Sequence, residues 1–248
     1  MAVHWLLIAL VGAGVGYLGG LFGKGGSAIA TPFLALIGVP PIIAVASPLP
    51  ATIPGTLVAF ARYRREGLAN WRIIGWSILC GVPATVLGAV VTRWIDGSVL
   101  VKITDGIVAA LGLRILLQRS TLGPGEAVEA PSMVRLVAVA AVVGFLAGLL
   151  ANSGGFLLVP LYLSVLHLPI KRALACSLAV AALLAIPGTI VHAALGHIDW
   201  HVAFVFGLAS IPLSSLGART ALRMDAARLE KIYGAGLFVL GTALLIFA

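Results

Sequence analysis

Apolar residues run through this chain in long unbroken windows, with neither the alternation of a half-buried strand nor the single stripe of a soluble helix. Residues 73–92, 136–170, 173–198 and 200–218 contain no Asp, Glu, Lys or Arg. A bilayer core of about 30 Å is crossed by about 20 apolar residues, and these windows come one after another. The pattern predicts an all-α, polytopic membrane protein. Five apolar segments fall in each half, at about 4–22, 26–38, 41–61, 73–92 and 100–117, then about 136–151, 154–168, 173–195, 200–218 and 232–248. The second segment of each half is at most about 15 residues, or about 22 Å as a helix. It is expected to be a broken or re-entrant helix that stops short of the far side.

The two halves share a register. Gly16-Tyr-Leu-Gly-Gly20-Leu matches Gly144-Phe-Leu-Ala-Gly148-Leu, Gly26 matches Gly154, and Pro32 matches Pro160. One residue later in offset, Gly67 and Trp71 match Gly196 and Trp200, Pro83 matches Pro212, and Gly88 matches Gly217. Lys102-Ile103 and Gly112 then match Lys231-Ile232 and Gly241. This is an internal repeat: residues 1–117 form the first unit, 118–132 a polar linker, and 133–248 the second unit.

Charge placement gives the repeat a sign. With the 62–72 loop in the cytoplasm and alternation from there, 13 of the 16 basic residues fall inside and only Arg93 and Lys102 fall outside. Cytoplasmic loops carry the excess of Lys and Arg. Matching loops then lie on opposite sides, "RYRREGLANWR" being basic and "GHIDW" lacking Lys and Arg. The expected architecture is two inverted-topology repeats whose broken helices meet near the midplane, with a cytoplasmic linker and both termini outside. Gly12, Gly16 and Gly20 have the small-xxx-small spacing of a close helix-packing face.

Composition narrows the function classes. The chain is 61% hydrophobic and 10% charged, against roughly a quarter charged in soluble domains. The net charge of +8 sits in short loops, with no basic stripe interleaved with aromatics, so no nucleic-acid partner is expected. The lipid bilayer is the expected environment. Cys80 and Cys176 lie apart in apolar windows, without disulfide or metal-ligand spacing. No metal and no cofactor is expected. The first apolar segment lacks a cationic leader and an A-x-A cleavage site and reads as a retained helix.

Candidate chemistry concentrates in the two glycine-rich interruptions, "GKGGS" (23–27) and "ANSGG" (151–155). Inverted repeats are the architecture of secondary transporters, whose sites use interrupted helices near the midplane. The freed N–H groups and the dipole of a helix start favour an anion. A buried ammonium at Lys24 costs several kcal/mol unless compensated, and no acidic residue is near it in sequence. A small anionic substrate is the economical compensator. It would be bound by Lys24, Gly25, Gly26 and Ser27 from one half, and by Asn152, Ser153, Gly154 and Gly155 from the other. The alternative is that Lys24 snorkels to the cytoplasmic face. Candidate pathway residues are Ser47 and Pro48 in "AVASPLPATIPGT", Cys176 and Ser177 in its counterpart, and His192; close packing of small residues is the competing account. A proton is the candidate coupling ion, and a homo-oligomer is the candidate assembly.

The motifs "GLFGKGGSAIATPFL" and "GLLANSGGFLLVPLY", with "IPGT" and "GHIDW" further along, resemble those of the TauE/SafE sulfite exporter family over nearly the whole chain. The resemblance implies a cytoplasmic-membrane permease that moves sulfite, organosulfonates or related small anions, usually outward and without ATP. Lys24 and Ser27 in the first motif, and Asn152 and Ser153 in the second, depart from the family's usual run of three glycines. No P-loop motif occurs in the sequence. Two other classes compete: an intramembrane serine protease pairing Ser153 with His192, His197 or His201, and a structural membrane subunit. The first leaves the repeat without a purpose and the second leaves the glycine loops unexplained.

Overall fold

In a computed structural model, residues 5–23, 27–91, 109–110, 112–117, 132–149 and 154–247 are described. Ten helices are traced among them. They are α1 (Trp5–Phe22), α2 (Ser27–Leu36), α3 (Pro41–Ala46), α4 (Pro48–Arg65) and α5 (Trp71–Val91). Next come α6 (Met133–Leu149), α7 (Gly155–Ser164), α8 (Ile170–Ala194), α9 (Trp200–Arg223) and α10 (Ala226–Phe247). A further helical stretch at 112–117 packs on α10 through Gly112 and Gly234. Among the described residues, five helices are long and apolar enough to cross a membrane: Trp5–Phe22, Pro41–Arg65 taken together, Trp71–Val91, Ile170–Ala194 and Trp200–Arg223. Their outer faces expose Leu6, Leu10, Leu79, Leu87, Phe204 and Leu208. A soluble protein rarely exposes apolar patches of this extent; lipid covers them here.

Helix ends follow sequence chemistry. Gly67 and Gly196 both have positive φ (68° and 70°) and close the C-termini of α4 and α8. In each, the next residue's N–H reaches back five residues, Leu68 to Tyr63 O and His197 to His192 O, the six-to-one bond of a glycine C-cap. The following helix then starts on a side-chain cap. Asn70 Oδ1 accepts from the Arg72 and Ile73 amides, and Asp199 Oδ1 accepts from those of His201 and Val202. The G-x-x-N/D-W passages are therefore stop–start signals. Pro40 and Pro169 precede α3 and α8 in extended backbone (ψ 139° and 141°), and each carbonyl accepts the first helical amide bond.

Several helices run beyond the uncharged windows. α4 continues to Arg65 and α9 to Arg223, and α10 begins at Ala226. Basic residues in a last turn are favoured by the helix dipole, so the charges end the apolar run without ending the helix. The 41–61 segment is divided at Ser47, where Pro48 and Pro50 remove amide donors. Pro32, Pro54, Pro83, Pro160, Pro187 and Pro212 lie within helices.

Glycine permits the closest crossings. A Cβ on Gly12, Gly16 or Gly20 of α1 would run into the backbone of Phe206, Ser210 or Ser214 of α9. A Cβ on Gly144 or Gly148 of α6 would run into the backbone of Gly81 or Thr85 of α5. Residue numbers rise together in both crossings, so each pair is parallel. α4 also runs parallel to α9, with Ala51 at Gly207, Gly55 at Ser214, and Arg62 bonded to Ser215. α8 begins where α9 ends, its Lys171 Nζ donating to Leu222 O at 2.9 Å. Thus α1, α4 and α9 end at one pole, and α5, α6 and α8 begin there. Arg62, Arg65, Arg135, Lys171, Arg219 and Arg223 gather at that pole. The central helix is α8, fully buried from Ala173 through Ala182, where Ala, Ser and Cys let neighbours approach.

Candidate functional site

One glycine of each motif, Gly23 and Gly154, is held against α8. Gly23 ends α1 at φ +65°, and a Cβ there would strike Leu174 and Ser177 of α8. Its carbonyl accepts a 2.9 Å hydrogen bond from Ser177 Oγ, so the backbone that leaves α1 is tied to the central helix. In the other half, Gly154 stands at φ +69° before α7, enclosed by Val143, Ala147 and Leu184. Ser177 and Leu184 are seven residues apart, about 10 Å along the axis of α8. Gly23 and Gly154 therefore border a short stretch of one helix.

Each interruption leads into a ten-residue helix, Ser27–Leu36 and Gly155–Ser164, about 15 Å long and too short to cross a bilayer. α7 has no side-chain cap at Gly154, and Gly155 through Pro160 are buried. The first amides of a helix have no intrahelical acceptor, and buried donors need partners. The start of α7 is therefore an enclosed, donor-rich end. Lys24, Gly25, Gly26, Asn152 and Ser153 lie outside the described residues, as does the Ser27 side chain; Ser27 itself opens α2.

The pathway candidates occupy distinct places. Ser177 is the tie to Gly23 and also donates to Leu174 O. Cys176, next to it, is fully buried among apolar side chains. Ser47 is fully buried, and its Oγ accepts from the Asp199 amide at 3.0 Å, joining the α3–α4 break to the start of α9. Pro48 is buried at the first turn of α4, and its carbonyl accepts from Thr52 Oγ1. His192 is half-buried near the end of α8 that lies away from the basic pole. Its Nδ1 is 3.1 Å from that of His197, one nitrogen donating to the other.

Two features were not anticipated. A cavity of about 20 Å³ lies between α1, α4 and α9, lined by Gly16, Gly20, Thr52, Thr56, Ser210 and Ser214, among others. Its signal was present: the pairs 52/56 and 210/214 place hydroxyls one turn apart on one helix face. At the basic pole, Arg62, Arg65, Arg219 and Arg223 surround an open cavity of about 450 Å³, with Glu66 as the acidic side chain on its wall. It sits at the mouth of the same α4–α9 seam.

Comparison with known proteins agrees with this architecture. The profile of the family described as "Sulfite exporter TauE/SafE" matches residues 8–244. A "Probable membrane transporter protein" of Xylella fastidiosa (strain 9a5c) is 29% identical, over 92% of this chain and 90% of its own length. "Probable membrane transporter protein YjnA" of Bacillus subtilis (strain 168) is 26% identical, over 96% and 98%. "Probable membrane transporter protein MJ0441" of Methanocaldococcus jannaschii is 25% identical, over 97% and 95%. No solved structure matches the chain.

Proposed function

This chain belongs to the TauE/SafE sulfite exporter family and is a multi-pass membrane transporter, and we propose that it exports small oxyanions, sulfite or an organosulfonate foremost. The site is the pair of glycine motifs. The anion would be bound by Lys24, which supplies charge, with the Gly25 and Gly26 amides and Ser27 from one motif, and by Asn152, Ser153 and the Gly154 and Gly155 amides from the other. The observation that carries this reading is the packing of Gly23 and Gly154, one glycine from each motif, on α8, at contacts about 10 Å apart along its axis, each motif being followed by a helix too short to span. An anion between them is met by two helix starts and by the one cation in either motif.

Alternating access follows from the arrangement of the halves. The α1–α9 and α5–α6 crossings use residues in matching register, Gly16 on Ser210 and Gly144 on Gly81. α1 and α6 run in opposite senses relative to the basic pole. These features support an inverted repeat in which one half rocks against the other about the anion. The pole bearing Arg62, Arg65, Arg219 and Arg223 is then cytoplasmic, and both termini lie outside. The protein sits in the cytoplasmic membrane and works without a cofactor, with a proton as the default coupling ion.

A thermal-stabilisation screen of the purified protein tests the substrate class. Sulfite, sulfate, thiosulfate, sulfoacetate and small carboxylates are compared at fixed ionic strength, since a ligand of the folded state raises the Tm by mass action. Sulfite or a sulfonate is expected to give the largest rise. A rise with none of the anions contradicts the reading.

A further inference from the structure

We propose that the cavity between α1, α4 and α9 is a binding site for one dehydrated monovalent cation of sodium size. This stands apart from the anion site and does not depend on which anion is carried. The observations are the room, the ligand set and the asymmetry of the two halves.

A cavity of about 20 Å³ has space for a single water-sized particle. Four hydroxyls on its wall are at least nine-tenths buried: Thr52 (5% exposed), Thr56 (4%), Ser210 (4%) and Ser214 (6%). Each has one proton, and each gives it to a carbonyl of its own helix. Thr52 donates to Pro48 O at 3.1 Å and Thr56 to Thr52 O at 2.8 Å. Ser210 donates to Gly207 O at 3.4 Å and Ser214 to Ser210 O at 2.9 Å. Every hydroxyl oxygen also has acceptor lone pairs. Among the described residues none of these four oxygens accepts a hydrogen bond.

The wall therefore presents buried acceptors whose donors are spent. An anion finds no donor there, whereas a hard cation finds oxygen ligands. Among the described residues no Asp or Glu lines the cavity, so its oxygens are neutral. Divalent ions are held by carboxylates, and a neutral oxygen set suits a single charge.

The second half does not repeat this chemistry. At the register of Thr52 and Thr56 it has Ala181 and Ala185, and at the register of Gly55 it has Leu184. Leu184 fills the corresponding space against Gly81 and Gly154. Of the four hydroxyls only that of Ser214 has a counterpart, Thr85. Helix packing alone is satisfied by Ala and Leu, as that half demonstrates. The polar, unfilled version is built once, which gives one cation per chain. A cation bound in this seam while an anion occupies the glycine motifs offsets its charge.

Gly55 gives the test. A Cβ there meets only Ser214 Oγ, at 3.3 Å, so Gly55→Ala places a methyl at the cavity wall without a backbone collision. Alanine also favours the helix more than glycine does. Thermal unfolding is measured in NaCl and in choline chloride at equal ionic strength, with binding of radioactive sodium measured in parallel. Wild type is expected to show a sodium-specific Tm rise of about 5 °C at a hundredfold excess over Kd. Gly55→Ala is expected to lose that rise and the bound sodium while keeping its Tm in choline. Ser214→Ala, which removes one ligand and creates no overlap, is expected to weaken sodium binding at least tenfold. Equal wild-type Tm in the two salts means that the cavity holds water only and overturns the proposal. So does Gly55→Ala or Ser214→Ala with wild-type sodium affinity.

Discussion

The close glycine crossings make a prediction whose size follows from their geometry. A Cβ on Gly16 would overlap the Ser210 carbonyl oxygen and lie 2.5 Å from its Cα, where ordinary carbon contacts begin at about 3.5 Å. The obstacle is backbone, which has no rotamer to change, so α1 and α9 must separate by about 1 Å. Overpacking of this kind costs about 1–3 kcal/mol, partly offset by about 1 kcal/mol of helix propensity. Gly14 lies on the same helix with nothing within 4 Å of its added Cβ, so Gly14→Ala receives the propensity gain without the overlap. Gly144→Ala, which meets the backbone of Gly81, is expected to match Gly16→Ala. Thermal unfolding in detergent is expected to place Gly16→Ala and Gly144→Ala about 2–6 °C below Gly14→Ala. Equal Tm for Gly14→Ala and Gly16→Ala would refute the reasoning, because it would mean that the crossing is not held at glycine distance.

Three further outcomes are expected. Ser177→Ala leaves the Gly23 carbonyl without its 2.9 Å donor, costing about 1–3 kcal/mol; denaturant titration reads the loss, and anion affinity should fall with it because the first motif is untied. Asp199→Ala removes the side chain that caps two amides of α9 and should cost about 1 kcal/mol, with Asn70→Ala costing about the same at α5, both read as Tm. Gly154→Ala forces a side chain to φ +69° between Val143 and Ala147; a loss of more than about 1 kcal/mol is expected in the same titration.

Much of the fold was legible because membrane helices advertise themselves. The uncharged windows located the long helices, and the brevity of 26–38 and 154–168 foretold helices too short to cross. The matching "GLANW" and "GHIDW" passages hold position-specific information, a positive-φ glycine and a capping Asn or Asp, which is why they stand out in sequence. Helix ends were less legible: Arg62, Arg64 and Arg65 end the apolar window but continue α4. Ser47 shows why partners escaped notice, since its acceptor role depends on Asp199, 152 residues away. The contact of Gly23 with Ser177 spans 154 residues and has no local signature. Thr52 and Thr56 form a hydroxyl pair at helical spacing, but the prolines beside them are the louder signal in the same stretch.

The central claim is that the glycine motifs bind the transported anion through Lys24. Its most direct test is equilibrium binding of sulfite and sulfoacetate to purified wild type and Lys24→Ala, with Tm recorded for both. A hydrogen bond to a charged group contributes about 1.5–3 kcal/mol, so the variant is expected to bind about 10- to 100-fold more weakly at an unchanged Tm. Wild-type affinity in Lys24→Ala for every anion that the wild type binds would contradict the account.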